Sequence, residues 1–365
     1  MRTAVILAYN WANTGMYSVD LSAFRLFESL GLPVDYFVAS GASPQGLFKS
    51  GQVPIYRISE AASLRPYDNV VYWGDFTTSP HYALDDLHGQ LKNHDGPISL
   101  VEAFSYWMDI FLMRDKRQAG QRLFSFCQNF QTLGLTSTRA DYAKLDKLYG
   151  RFTLIMPRDT VSTGELAKAF PSIPSQAIRQ GCDAAFLLPD GIAPASGARP
   201  SSDNRKVGLF LHRSKIDNKE ALLSEILRRG YEPVALNEWM QLPRNRCHEN
   251  FLSLSARISG CTAIVTDTYH LAVNAIRLGT AVVVLGANET AQTSTVSDFK
   301  KRVMLRDLGS EDLYVPIDDG RLLPEQISAI VDRVDASAGE PHPVHARAAA
   351  AADAMREAIR QAILA

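Results

Sequence analysis

The stretch Ser259–Gly286, SGCTAIVTDTYHLAVNAIRLGTAVVVLG, decides the fold. Thr262–Val265 and Ala281–Leu285 are β-branched apolar runs with no polar alternation, the pattern of parallel strands buried on both faces. Between them Leu271, Ala272, Ala275, Ile276 and Leu278 recur at helical spacing, and Gly279 stands where a helix C-cap is wanted. The intervening T-D-T-Y-H, residues 266–270, therefore falls at the carboxyl end of a strand and the start of a helix. Ligands of open α/β sheets bind at that edge, and helix N-termini favour anions. His270 is accordingly a candidate acid, base or anion ligand, with Asp267 close by. A lone histidine is ordinarily a satisfied side chain. Its place between a buried strand and a helix start moves the balance toward function.

Working outward, the same half of the chain offers a strand at Lys206–Leu211, a helix at Lys219–Arg229 ended by Gly230, a strand at Pro233–Leu236 and a helix at His248–Ser259. Val303–Leu305, a loop and a helix over Leu323–Val334 finish it. The first half opens with a strand, Thr3–Ala8, and a loop, YNWANTGMYSVD, followed by a helix at Leu21–Leu30 closed by Gly31 and Pro33. Strands are expected at Val34–Val38, Asn69–Trp73, Phe130–Leu135 and Phe152–Ile155, and helices at Ala83–Lys92, Tyr142–Tyr149 and Gly164–Phe170. This alternation points to α/β layers with mainly parallel sheets. Periodicity disappears over Pro189–Asn204, where Gly, Pro, Ser and Ala dominate. The expected organisation is an α/β domain over 1–190, a linker over 191–204, a second α/β domain over 205–338 and a terminal helix within 339–365. Met355, Ile359 and Ile363 give that helix an apolar stripe that packs back on the body. Two Rossmann-like domains facing a central cleft, closed by such a helix, resemble the GT-B architecture.

Composition narrows the function classes. At 365 residues the chain is too long for one ordinary core. Its 38 basic against 39 acidic residues leave no electrostatic footprint for nucleic acid. The start, MRTAVILAYNWANTG, reads as a first strand rather than a signal peptide. The apolar patch Phe104–Met113 is interrupted by Asp109 and is too short to span a bilayer. Cys127, Cys182, Cys247 and Cys261 lack metal-type spacing and are expected as buried free thiols. No Walker A loop, GxGxxG turn, HExxH or GxSxG occurs, which argues against P-loop NTPases, dinucleotide oxidoreductases, zincins and α/β-hydrolases.

Several shorter signals remain. Asn13, Thr14 and Gly15 follow the first strand as either a plain strand-to-helix turn or a loop facing acceptor or anion. Arg158, Asp159 and Ser162, in MPRDTVSTGEL, favour a structural reading in which Asp159 or Thr160 caps a helix. His212 and Arg213 end the strand VGLFLHR, where a guanidinium fork is placed to grip carboxylate or phosphate, or to bridge to a neighbouring loop. Lys300, Lys301 and Arg302 read first as a solvated basic cluster and, near a cleft, as phosphate support. Asp75 and His81 are explained by the GDF turn and the Ser79–Pro80 helix start.

The order of these pieces resembles the polysaccharide pyruvyltransferase family. Its N-x-G-D-like loop is echoed by Asn13, Gly15 and Asp20, and its R-D-x-x-S element by Arg158, Asp159 and Ser162. Its G-x-D-x-A-F segment is matched by Gly181, Asp183, Ala185 and Phe186, and its strand ending in arginine by Arg213. The T-D-R-x-H signature is matched by Thr266, Asp267 and His270, and DFKKRVMLRDLG resembles the lysine-bearing stretch after it. The resemblance covers about residues 150–316 well and the first 150 poorly.

The resemblance implies transfer of a pyruvyl group from phosphoenolpyruvate to a glycan or lipid-linked sugar as a ketal, with phosphate released. It implies no metal and no cofactor beyond that donor substrate, no nucleic acid partner and no integral membrane segment. It implies a cytoplasmic location near the inner face of the membrane. His270 is expected as general acid/base, with Asp267 orienting the loop or His270. Arg213, Lys300, Lys301 and Thr268 are expected on the donor, and Asn13, Thr14 and Gly15 on the acceptor side. Two departures stand out: Thr268 replaces the family arginine, and Met16 follows Gly15 where aspartate is common. A neutral hydroxyl does not replace a guanidinium fork. Either another cation holds the anion, or the donor differs, or activity is lost. Two rivals therefore stay open: a GT-B glycosyltransferase using a nucleotide sugar, and a catalytically silent glycan-binding homologue. The lack of an obvious ribose-binding acidic motif counts against the first, and Thr268 favours the second.

Overall fold

The structure, a computed structural model, describes residues 1–7, 13–39, 54–58, 60–114, 117–136, 141–189, 192, 205–241, 246–294, 297–317, 319–337 and 342–365. The chain forms two compact units. One comprises Met1–Asn10, Val19–Leu187 and Ala352–Ala365, and the other Trp11–Ser18 and Leu188–Ala351.

The first unit is built in the order β1 (Thr3–Leu7), α1 (Thr14–Ser29, whose residues up to Ser18 are counted with the second unit), β2 (Val34–Val38), β3 (Ile55–Arg57) and β4 (Asn69–Asp75). A π-helical segment, Tyr82–Leu87, then runs into α2 (His88–Asp95), followed by α3 (Leu100–Phe111) and β5 (Arg122–Gln128). Next come α4 (Leu133–Thr136), α5 (Tyr142–Tyr149), β6 (Leu154–Pro157) and α6 (Thr160–Ala169). Its six strands pair in parallel in the order β3-β2-β1-β4-β5-β6, the doubly wound arrangement. The core strands are sealed on both faces: Ala4, Val5, Ile6, Val70, Val71, Tyr72 and Trp73 have no exposed surface.

Three expectations for this half need correction. The loop expected over residues 9–20 is helical from Thr14 onward, while residues 8–12 lie outside the described residues. Ser18, Ser22 and Ser29 return their hydroxyls to the carbonyls three residues back, so small polar residues that look loop-like are accommodated inside the helix. The strand expected at Phe130–Leu135 is a turn leading into α4, and the strand itself is β5. Ser125 and Gln128 disguise β5 in the sequence, yet both are buried, bonded to Thr78 and Thr77 of the loop after β4. The third correction is at α6, which starts at Thr160 rather than Gly164.

The second unit runs β7 (Lys206–Phe210), α7 (Lys219–Arg228), β8 (Glu232–Ala235), α8 (Cys247–Ser259), β9 (Ala263–Thr266), α9 (Tyr269–Arg277) and β10 (Ala281–Ala287). It continues with α10 (Phe299–Asp307), β11 (Tyr314–Ile317), α11 (Pro324–Ser337) and α12 (Val344–Leu364). Five parallel strands lie in the order β11-β10-β9-β7-β8. Val303–Leu305 belongs to α10, and β11 is the strand the sequence reading lacks. Pro316 masks it, and proline is tolerated because β11 is an edge strand, as β8 with Pro233 is at the other edge. Most of the expected linker, residues 190–191 and 193–204, lies outside the described residues.

The end of α12 is counted with the first unit, where Arg122 donates to the carbonyls of Ala362 and Ile363. Met355 lies between the thiols of Cys127 and Cys182, at 3.8 and 3.7 Å. All four cysteines are free and buried. Among the described residues, no helix is long and apolar enough to cross a membrane.

Candidate functional site

In the second sheet the chain winds outward in both directions from the β7/β9 pair, so this pair is the topological switch point. A doubly wound sheet opens its crevice at the carboxyl ends of such a pair. Phe210 and Thr266 are register partners, which brings the turn after β7 and the turn after β9 side by side. The first turn carries His212, Arg213 and Ser214; the second carries Asp267, Thr268 and His270.

Asp267 ties these turns together. Its carboxylate has no exposed surface and accepts the backbone N–H groups of His212 at 3.2 Å, Arg213 at 2.7 Å and Ser214 at 2.7 Å. The Thr268 hydroxyl donates to it at 3.3 Å. Three successive amides make an anion-binding nest, and here the protein's own carboxylate fills it. Asp267, expected among the catalytic residues, is therefore a positioning group with its oxygens committed to the backbone. Arg213 is held by its amide while its side chain projects into solvent; among the described residues its guanidinium forms no ion pair.

Lys301 also departs from expectation. It is 1% exposed, and its ammonium reaches the carbonyls of Asp267 and Leu285, each at 2.7 Å, and Asp298 Oδ1 at 2.6 Å. An ammonium has three donors, and these partners use all three. Burial pulls Lys301 below the ordinary lysine value, and Asp298 opposes that. The basic cluster around residues 300–302 therefore separates: Lys301 is buried, while Lys300 stays half-exposed with its ammonium 5.7 Å from the centre of the Tyr269 ring.

His270 stands in the first turn of α9, half-exposed, edge-on to Tyr269 with ring centres 5.1 Å apart. The first turn of α1 packs against it. Asn13 starts α1 by accepting the N–H groups of Gly15 at 2.9 Å and Met16 at 3.3 Å. Thr14 is fully buried. Asn274, one turn beyond His270, donates to the Ser18 hydroxyl at 3.0 Å and to the His270 carbonyl at 2.9 Å.

Asn13, Arg213, Asp267, Thr268, His270 and Lys300 line one small pocket of about 30 Å³. Asn13, expected on the acceptor side, thus shares a pocket with the donor candidates. The pocket lining holds three basic residues against two carboxylates, and α9 begins at it, so its chemistry suits a small anion beside an imidazole. Sequence reasoning missed Tyr269 and Asp298. The second had a usable signal, since Asp298 and Lys301 are three residues apart across a helix start.

Arg158, Asp159 and Ser162 form a separate buried cluster in the first unit. Asp159 caps α6 by accepting the Ser162 N–H at 2.7 Å. Arg158 is 6% exposed and lies 3.6 to 4.0 Å from Asp159, Asp183 and Asp75. Burial pushes Asp159 above its ordinary value, with Arg158 and the Ser162 amide working against it.

A family model described as polysaccharide pyruvyl transferase matches residues 103–289. No curated protein sequence matches. Among solved structures, the UDP-GlcNAc 2-epimerase of Methanocaldococcus jannaschii superposes with a TM-score of 0.51 at 11% identity, over 91% of this chain and 92% of that one. Sucrose-phosphate synthase of Thermosynechococcus elongatus gives 0.51 at 12% identity, over 99% and 96%. S. aureus MnaA, in a co-structure with UDP, gives 0.51 at 9% identity, over 96% and 91%. At such identities the likeness is one of fold. With the two parallel sheets it supports the GT-B-like class expected from the sequence.

Proposed function

Because the chain belongs to the polysaccharide pyruvyl transferase family, we propose that it moves a pyruvyl group from phosphoenolpyruvate to two hydroxyls of a glycan sugar, forming a ketal and releasing phosphate. One observation carries this reading: Arg213, Lys300 and His270 line a single pocket at the switch point of the second sheet, where α9 begins.

The reaction asks for a proton on the enol methylene carbon, two new C–O bonds at the central carbon and departure of phosphate. Of the two hydroxyl protons lost by the sugar, one ends on the new methyl group and the other on phosphate. His270 delivers the first through its imidazole, a group that exchanges protons near neutral pH. Arg213 and Lys300 hold the carboxylate and phosphate, and the start of α9 adds its positive end. Thr268 contributes no charge, so these two side chains carry the anion recognition supplied in the family by an arginine at its position. Asp267 keeps the Arg213 turn in place.

The test is incubation with phosphoenolpyruvate, UDP-sugars and candidate glycan acceptors, following phosphate and nucleotide release. Phosphate release that disappears in His270→Ala is the expected result. Nucleotide release alone replaces this reading with a glycosyltransferase, and release of neither points to a silent glycan-binding protein.

A further inference from the structure

We propose that Lys301 is a positioning residue of this site: it touches no donor atom and instead holds the His212–Ser214 turn that presents Arg213. The inference rests on the reading above only in taking Arg213 as the donor's anion ligand.

A lysine reserved for phosphate needs at least one free ammonium proton and a path to the ligand. Lys301 borders the pocket but has no ammonium proton to spare, being 1% exposed with three protein acceptors at 2.6 to 2.7 Å. Those acceptors come from three elements: the end of β9, the middle of β10 and the residue before α10.

Two of them are the groups that shape the Arg213 turn. Asp267 offers its carbonyl to Lys301 and its carboxylate to the amides of residues 212–214. Asp298 offers one oxygen to Lys301; the other accepts the Ala287 N–H at 2.7 Å and the Ser214 hydroxyl at 3.3 Å. Ser214 is therefore tied at both its amide and its hydroxyl to partners of the same lysine.

Packing shows that the pair is built in. A β-carbon on Gly286 would lie 2.8 Å from Lys301 Nζ, 2.8 Å from Asp298 Oδ2 and 2.5 Å from the Tyr314 hydroxyl. The glycine near the end of β10 makes room for the ion pair. Removing the ammonium leaves Asp298 uncompensated and two carbonyls without a donor, all beneath the turn.

The experiment compares the native protein with Lys301→Met, Arg213→Ala, the double variant and Gly286→Ala, which keeps every charge but displaces the pair. Amide hydrogen exchange is followed without donor, and phosphoenolpyruvate affinity by calorimetry. Exchange over residues 211–216 should rise by about tenfold or more in Lys301→Met and in Gly286→Ala, with α7 and β8 unchanged. The double variant should bind phosphoenolpyruvate within about twofold of Arg213→Ala alone, because both changes disable the same group. Unchanged exchange over 211–216 overturns the proposal, as do losses that multiply in the double variant, since those mark a direct ligand. If Lys301→Met does not fold, Gly286→Ala and its combination with Arg213→Ala decide both arms by the same criteria. The exchange arm needs no donor, so failure of the native protein to bind phosphoenolpyruvate refutes the functional reading while exchange still decides the positioning role.

Discussion

Gly15 and His270 are packed backbone against ring. A β-carbon on Gly15 would overlap the β-carbon of His270 and lie 2.7 Å from its Cγ and 2.9 Å from Nδ1. The glycine is needed here for close approach, because its φ is ordinary for a helix start and no left-handed conformation is involved. The first turn of α1 thus acts as a wall that sets where the imidazole lies.

Gly15→Ala should lower phosphate release at least about tenfold, equivalent to about 1.4 kcal/mol of barrier, with a melting temperature only a few degrees below native. Adding His270→Gly should recover most of the lost stability, since it removes the β-carbon and the ring that clash. A Gly15→Ala protein working at the native rate would show that ring placement is not limiting.

Arg213 and Arg158 should separate cleanly. Arg213 is exposed, so Arg213→Ala should leave the melting temperature nearly unchanged while weakening phosphoenolpyruvate binding by about 2 kcal/mol, or roughly thirtyfold. Arg158 is buried among three carboxylates, and Arg158→Ala leaves them uncompensated at a cost of about 3 kcal/mol in stability. Calorimetric titration beside thermal melts checks both. Equal losses of donor affinity would remove Arg213 from its assigned role.

At position 268 the buried hydroxyl bonds Asp267. If phosphoenolpyruvate is the native donor, Thr268→Arg should raise its turnover by no more than about threefold, because Arg213 and Lys300 already supply the charge and one support of Asp267 is lost. Steady-state phosphate release measures this. A gain of orders of magnitude would mean that the native donor is another molecule.

The N-cap of α6 yields a pH prediction. Burial raises the Asp159 pKa in the folded protein above its unfolded value. A raised carboxyl stabilises fully below the unfolded pKa, and that contribution is lost as pH climbs through the folded pKa. Asp159→Asn keeps an acceptor for the Ser162 amide and has no charge to bury. Its melting temperature relative to native should therefore improve as pH rises above the unfolded carboxyl value of about 4. Asp159→Ala lacks the cap and should fall about 1 kcal/mol below Asp159→Asn throughout. A relative stability that shifts the other way would reverse the assigned sign.

The β9–α9–β10 unit was legible because hydrophobic period and capping glycine agree there, and α5 matched at both ends for the same reason. What stayed hidden were polar residues buried with partners far along the chain. Ser125 and Gln128 break the pattern of β5 yet are satisfied by a loop about fifty residues earlier. Lys301 read as a surface charge because two of its three acceptors lie 16 and 34 residues away, and only Asp298, three residues before it, gave a local signal. Conversely, the sheet edge that carries Arg213 and His270 could be named in advance, since the strand order that pairs β7 with β9 follows the ordinary rules of parallel sheets.

The carboxylate of Asp267, seated on the amides of 212–214, has an evolutionary consequence. A turn that carries its own permanent counter-ion keeps its shape whichever ligand arrives. Side chains projecting from it can then drift without unfolding their support, and a family arginine can give way to Thr268 while the platform persists. Donor choice is freed from scaffold integrity, the condition under which one fold comes to serve several chemistries.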